Sequence, residues 1–385
     1  MYIKFFFILL LYPCCVFADN IVWNKFSYPL EEYSAPKAMA IADVIVLSQR
    51  SSGGWGKIIV PAEFVSQDVL IRDSLDASMY DHVDFKSYSH RSTTIDNDAT
   101  HSHVRYLLRA AKATNNNIYV ESALRGVEYL LSAQYPSGGW PQNYPNLSSY
   151  GGHVTFNDGA MVGVMNALQE VASGEYAFID SSMQRDAAQA FWRGVDYILK
   201  SQIVVGGVKT AWCAQHDPTT YAPLGGRTYE LPSISGAESV GIVRLLMGIP
   251  EPTLPIKEAI VAAVSWFEKN KINGFDYIKV YDSRYNEPVV LEYKEDPQAA
   301  TKRTRSFPGR GYDNVLVPSL GAKPLWARFY DLESQRPFFV GWDGVKKYDV
   351  SEIDIERRTG YMWYGRWPEN LLNHRWPKWR LQHFK

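Results

Sequence analysis

Apolar residues recur at steps of three and four along most of the chain. That spacing puts them on one face of a helix, and it predicts helices over 37–49, 101–113, 118–134, 158–173, 184–202, 235–247, 255–270 and 351–360. Long connections rich in Gly and Pro separate them, as expected of residues that punctuate helices. Strict alternation is scarce. "FDYIKVYD" and "PVVLEY" carry it, and they predict a small sheet or hairpin.

A weak internal repeat overlies this pattern. "VLSQRSSGGWGK" (46–57), "LLSAQYPSGGWPQ" (130–142) and "ILKSQIVVGGVKTAW" (198–212) each end a helix on Gln and follow it with a Gly-Gly loop. Such recurrence suits paired helices repeated around a ring, with left-handed glycines ending each helix and a Trp plugging the next pair. The fold expected is mainly α, a helical toroid. Residues 272–324 differ in being polar and rich in Pro and Gly, and they predict an irregular lobe.

The first residues, "MYIKFFFILLLYPCCVFADN", place a lysine before a short apolar run that ends in a small-residue cleavage pattern. They are expected to be a secretory signal peptide over 1–18, giving an exported protein, with 19–385 as a single catalytic domain. The run is short for a membrane anchor, and no second span follows. Cleavage removes two of the three cysteines. Cys213 remains as a packing residue, and no intramolecular disulfide is available. With 385 residues, 46% hydrophobic, the chain has ample material for a buried core. A formal charge of −1 argues against nucleic acid or a membrane surface as partner. Its 12 Trp and 25 Tyr suit either core anchors or a sugar-stacking surface, and composition does not separate the two.

Two predicted helices open on clustered oxygens: Asp96, Asn97 and Asp98 before one, Asn157 and Asp158 before another. Helix capping accounts for such residues. So does a hard cation such as Ca²⁺, which takes oxygen ligands. No EF-hand spacing and no paired Cys or His pattern is present. Arg227 follows two glycines in a long loop, where no structural rule requires an arginine. Arg328 stands between Trp326 and Tyr330, where stacking on rings is the simplest role.

Taken in order, "TIDNDAT", "SGGWPQNYP", "TFNDGAM", "WCAQHDPTT", "GRTYELPSISGAES", "LWARFYDLE", "GWDGVKKY" and "IERRTGYMWYGRWP" resemble pectate lyases of polysaccharide lyase family ten over roughly residues 36–368. The resemblance implies an (α/α)₃ toroid with a cleft against a second, irregular region. It also implies Ca²⁺-dependent β-elimination on polygalacturonate by a protein expected to be a monomer. By the same resemblance Asp158, Asp96 and Asn97 are calcium ligands, Arg227 is the catalytic base, and Arg328 grips a uronate carboxylate. Arg310, in a less well matched stretch, is assigned to substrate binding as well. Two departures stand out: Asp98 where the family pattern has glycine, and a longer, more basic stretch over 302–314. The alternatives are a glycoside hydrolase using Glu230 or Glu238, or an inactive carbohydrate-binding protein.

Overall fold

A computed structural model of the protein describes residues 28–57 and 93–384. The expected signal peptide lies outside the described residues. The chain divides into two compact units, Met1–Gly126 and Val127–Lys385.

In the first unit, α1 (Pro36–Leu47) starts on a proline, whose fixed φ and missing N–H suit a first helical position. It packs on α2 (His101–Thr114). Ile41, Ala42 and Ile45 of α1, and Val104, Leu107, Leu108 and Ala111 of α2, are buried, as their spacing predicts. Fully burying a Leu or Ile side chain is worth about 1.5–3 kcal/mol. The α3 helix (Asn117–Ser132) begins here, and its Tyr119 hydroxyl donates to Asp43 Oδ1 at 2.7 Å.

In the second unit, α4 (Ala160–Ala172) packs against α5 (Ser181–Ser201), and α6 (Glu238–Met247) packs against α7 (Leu254–Lys269) and α4. A short α8 spans Ile355–Gly360. Every predicted helix is present.

The repeat has a defined chemistry. In the first unit, Trp55 Nε1 donates to Ile45 O at 2.7 Å, and Gln49 Nε2 donates to Gly53 O and Ser122 O. In the second, Trp140 donates to Leu130 O at 2.7 Å, and Gln134 to Gly138 O and Ala190 O. Trp212 then donates to Ile198 O, also at 2.7 Å, and Gln202 to Thr210 O and Ala259 O. Each Gln closes its own Gly-Gly loop and ties it to the second helix onward in the chain, α3, α5 and α7 in turn. Gly138 needs to be glycine: its φ is +106°, and a Cβ there would lie 2.1 Å from Arg193 O.

The expectation of a mainly α, (α/α)₃ toroid is corrected by the connections. Within the second unit, seven small antiparallel sheets are woven between the helices, so the chain mixes helix with antiparallel strand. Strands β1 (Val154–Thr155), β2 (Gln215–His216) and β3 (Pro223–Leu224) form one of them, and β4 (Ile234–Ser235) pairs with a strand at Phe329–Tyr330. Two residues are too few to show alternation, which is why the sequence pattern reads these segments as loops.

The irregular lobe is also corrected. It is built from two antiparallel ribbons: β5 (Phe275–Tyr281) with β8 (Tyr312–Pro318), and β6 (Val289–Tyr293) with β7 (Arg303–Phe307). The alternating segments are strands, but they pair with later segments and not with each other. Beyond them lie β9 (Trp326–Ala327), which pairs with β11 (Tyr364–Gly365), and β10 (Phe329–Tyr330), the partner of β4. No helix among the described residues is long and apolar enough to cross a membrane.

Candidate active site

Between β1 and α4 the chain turns through Asp158 at φ 49°, ψ 26°, then Gly159 at φ 75°. A non-glycine residue in the left-handed region costs free energy, which Asp tolerates better than most. The N-cap position of α4 is held by Gly159, so Asp158 stands one residue before it and is not the N-cap residue. Its side chain is 43% exposed. Asn157 Nδ2 donates to Asp158 Oδ2 at 2.9 Å. Arg328 Nη2 lies 3.4 Å from both Asn157 Oδ1 and Asp158 Oδ1.

Arg328 sits between β9 and β10, with its backbone fixed at both ends. Its N–H donates to Trp363 O at 2.7 Å, and its carbonyl accepts from Gly236 N at 2.9 Å. Nη2 also donates to Glu238 Oε1, on the first turn of α6, whose other oxygen accepts from Ser235 Oγ. The guanidinium lies 4.7 Å from the centre of the Tyr361 ring. Burial alone would lower the Arg328 pKa, but the charges of Glu238, Tyr361 and Asp158 outweigh it and raise it. Arg328 is a permanently charged group set between two carboxylates.

Arg227 lies in the loop between β3 and β4, inside a tight turn. Gly226 N donates to Glu230 O at 2.9 Å and Glu230 N to Arg227 O at 2.7 Å. The Glu230 carboxylate then folds back on the arginine. Its Oε2 accepts from Arg227 N and Nε, each at 3.0 Å, and its Oε1 accepts from Nη2 at 2.5 Å. Oε1 also accepts from the Tyr361 hydroxyl at 2.8 Å. A Cβ on Gly226 would come within 2.7 Å of Glu230 Oε2. The glycine before Arg227 therefore makes room for the carboxylate. Burial alone would push the Glu230 pKa up, but the charge and hydrogen bonds of Arg227 win and hold it down to about 2. The same pairing overcomes burial at Arg227 and raises its pKa.

Tyr361 joins the two arginines. Its ring faces Arg328 at 4.7 Å and Arg227 at 5.8 Å. Asp158, Arg227 and Arg328, far apart in sequence, thus belong to one connected network in the second unit. Sequence reasoning missed Tyr361, although it lies inside a motif used for the resemblance. It weighed Glu230 and Glu238 only as hydrolase carboxylates, and the structure places each against an arginine. For Glu230 the signal was present, since a carboxylate three residues beyond an arginine in a glycine turn has its partner within reach.

The buried "WCAQHD" histidine has a structural role. His216 Nε2 accepts from Cys213 N at 3.0 Å, which leaves Nδ1 protonated and donating to Tyr221 O at 2.9 Å. Burial holds its pKa down to about 4. Cys213 itself is buried.

In the first unit, α2 is capped at Thr100, whose N–H donates to His103 Nδ1 at 3.0 Å. The acidic cluster before it is therefore not the cap. Asp96 is buried, accepts from Asn97 N at 3.0 Å and pairs with Lys57 Nζ at 2.7 Å. Asn97 is exposed. Asp98 has φ 60°, a backbone that glycine adopts freely.

Arg310 is exposed at a cavity of about 150 Å³ lined by Arg284, Glu287, Glu356 and Thr359. Among the described residues, no hydrogen bond or ion pair joins it to Arg227 or Arg328. Nor, among them, does any group of three or more His, Cys, Asp or Glu stand ready to hold a metal.

The family model for pectic acid lyase matches residues 49–302 and 297–372. The chain belongs to the pectic acid lyase family. It is 30% identical to a family 10 polysaccharide lyase from Cellvibrio cellulosa, over 93% of this chain and 97% of that one, with a TM-score of 0.68. An aspartate-to-alanine mutant of that family 10 lyase, solved in complex with trigalacturonic acid, matches with the same identity and TM-score over 92% and 97% of the two chains. No match is found among curated proteins.

Membership of a lyase family agrees with the site. A hydrolase needs one carboxyl group held protonated to serve as its acid. Glu230 has the opposite environment, an ionised carboxylate clasped by a guanidinium. Glu238 is likewise paired to Arg328.

Proposed function

We propose that this lyase acts on polygalacturonate by Ca²⁺-dependent β-elimination, with Arg227 and Arg328 as its working cations. The observation that carries the reading is the network of Arg227, Tyr361, Arg328 and Asp158, which sets the Arg328 guanidinium beside an exposed carboxylate and joins it through the Tyr361 ring to Arg227. The family 10 lyase complex with trigalacturonic acid supports a uronide substrate. In β-elimination the C5 proton leaves, the C4–O4 bond breaks, and the bonding pair departs on O4, which takes a proton from water. Negative charge develops beside the uronate carboxylate, where preorganised cations are most effective.

Arg328 offers its guanidinium to a uronate carboxylate, a pairing that can be bidentate. Arg310, exposed at its cavity, is the outer contact. Arg227 stabilises the charge that forms at C5. Because Glu230 holds it protonated, hydroxide from solvent takes the C5 proton, and activity rises in alkaline solution. A neutral guanidinium acting as base is disfavoured by the same pair.

Asp158 offers the oxygen donors of a Ca²⁺ ligand, and Asn157 supplies an amide oxygen beside it. The donor chemistry fits a hard cation. The set falls short in number, so oxygens from a substrate carboxylate and water would have to be added for the ion to be held. When bound, Ca²⁺ supplies Lewis-acid stabilisation of the uronate carboxylate. Asp96 and Asn97 are kept as calcium ligands in the first unit. Export by residues 1–18 completes the reading.

The test is ultraviolet absorbance of polygalacturonate at alkaline pH, because elimination leaves a conjugated double bond. Absorbance should rise with calcium, stop with chelator, and return when calcium is restored. Asp158→Ala and Asp96→Ala should each raise the calcium requirement at least tenfold. Reducing ends without absorbance would mean hydrolysis and would overturn the proposal.

A further inference from the structure

Glu230 is a buried carboxylate that spends both oxygens on functional groups. It takes the backbone N–H, Nε and Nη2 of Arg227, and it also takes the hydroxyl of Tyr361. The turn is shaped around it, since Gly226 leaves the space that a Cβ would deny to Oε2. The consequence lies in what remains. With Nε and one hydrogen of Nη2 committed, Nη1 is the nitrogen of Arg227 for which no hydrogen bond is present among the described residues. The guanidinium plane is fixed, and its remaining donors point away from Glu230.

We propose that Glu230 is the positioning residue of the reaction, clasping the Nε/Nη2 edge of Arg227 so that the Nη1 edge meets the reacting uronide, with Tyr361 locking the carboxylate. The inference rests on the reading of Arg227 as the catalytic arginine. It assigns Glu230 no proton transfer. An isolated Arg227 on its glycine turn would sample many rotamers, and ordering a long side chain carries a considerable entropy cost. Here that cost is met during folding by a bidentate pair, whose planar match only arginine provides. Tyr361 makes the lock shared: its hydroxyl holds Glu230 while its ring faces Arg328. The orientations of the two arginines are therefore coupled through one side chain.

The test uses the full chain and the variants Glu230→Gln and Tyr361→Phe. Side-chain ¹⁵N–¹H spectra of arginine report the clasp directly, without any need for turnover. In the native protein, the Arg227 Nε–H signal, assigned by its loss in Arg227→Lys, should be slow to exchange with water. In Glu230→Gln it should exchange at least tenfold faster. With polygalacturonate and calcium, Glu230→Gln should lower kcat ten- to a hundredfold with KM within about threefold, and the alkaline rise should keep its slope. Tyr361→Phe should move both readouts in the same sense by a smaller factor, and it covers the case in which the Gln variant does not fold. An unchanged Arg227 signal in the variants would overturn the clasp. A kcat that stays native, or that rises at neutral pH, would show Glu230 to be neutral or a brake and would equally overturn the proposal. Absence of lyase activity in the native protein, with the exchange difference intact, would instead overturn the elimination reading and leave the clasp standing.

Discussion

Gly226 shows how much of this site depends on one missing carbon atom. A Cβ there would stand 2.7 Å from Glu230 Oε2 and 2.8 Å from Gln215 Oε1. Neither neighbour has a free direction of retreat, because Glu230 is held by Arg227 and Gln215 is buried. Gly226→Ala should displace the carboxylate, lower kcat about tenfold or more and cost about 1–3 kcal/mol in urea unfolding. Native kcat in that variant would show that the turn tolerates the carbon. At this scale the sequence was partly legible. Arg227 after Gly-Gly stood out because no structural rule demanded it, whereas Asp158 in "TFNDGAM" had capping as its ordinary reading and was singled out only by the resemblance. Glu238 and Tyr361 did not, because their partners stand 90 and 131 residues away and nothing local names them; Glu230, three residues beyond Arg227, carried a local signal that went unread. Capping, the ordinary reading of Asp96 and Asp158, is displaced by Thr100 at one helix and by Gly159 at the other.

At the level of elements, the three Trp–Gln loops are the most informative repeat in the chain. In two of them an arginine finishes the motif: Arg125 Nη2 donates to Gln49 Oε1 at 2.6 Å, and Arg193 Nε to Gln134 Oε1 at 3.0 Å. Each arginine stands three residues beyond the carbonyl that takes the Gln amide, Ser122 in one case and Ala190 in the other. In the third loop that carbonyl belongs to Ala259, and the position three residues on is Ala262. Gln202 Oε1 is accordingly buried without a partner. Arg193→Ala should reduce the second loop to the state of the third, at a cost of about 1 kcal/mol in urea unfolding. Trp140→Phe should cost more, about 1–3 kcal/mol, because it orphans the carbonyl of Leu130 in a dry setting. Equal stability of the two variants would show that the indole hydrogen bond carries no special weight. Helices and repeat were legible because apolar spacing encodes them directly. Strand pairing in 275–318 was not. A ribbon is chosen by contacts between distant segments, and alternation alone names no partner.

Acid response belongs to the whole molecule, because its buried histidines lie in both units. His101 and His103 are held down to about 3 by burial, which Arg105 reinforces at His101 and His101 at His103. His216 is held down to about 4. An unfolded histidine titrates near 6.5. Above that pH all three are neutral in both states and contribute no pH dependence. Below it the unfolded chain binds protons that the folded chain refuses, so stability falls as pH drops from about 6.5 towards 4. Each histidine contributes up to about 1.4 kcal/mol per pH unit. Glu230 acts in a lower window: its depressed carboxyl stabilises the fold above the ordinary carboxylate range, and that contribution is lost as pH falls towards 2. Alkaline solution leaves all four groups in the forms the fold requires, so the conditions that favour elimination cost no stability through them. Urea unfolding from pH 8 to pH 4.5 should therefore be flat at first and then decline below about 6.5. His216→Gln should be less stable at pH 8, where Cys213 N and Tyr221 O lose a shaped partner, and shallower in slope by about one proton below 6.5. A decline parallel to that of the native protein would mean that His216 is already protonated in the folded state, and its role as a neutral clamp would have to be abandoned.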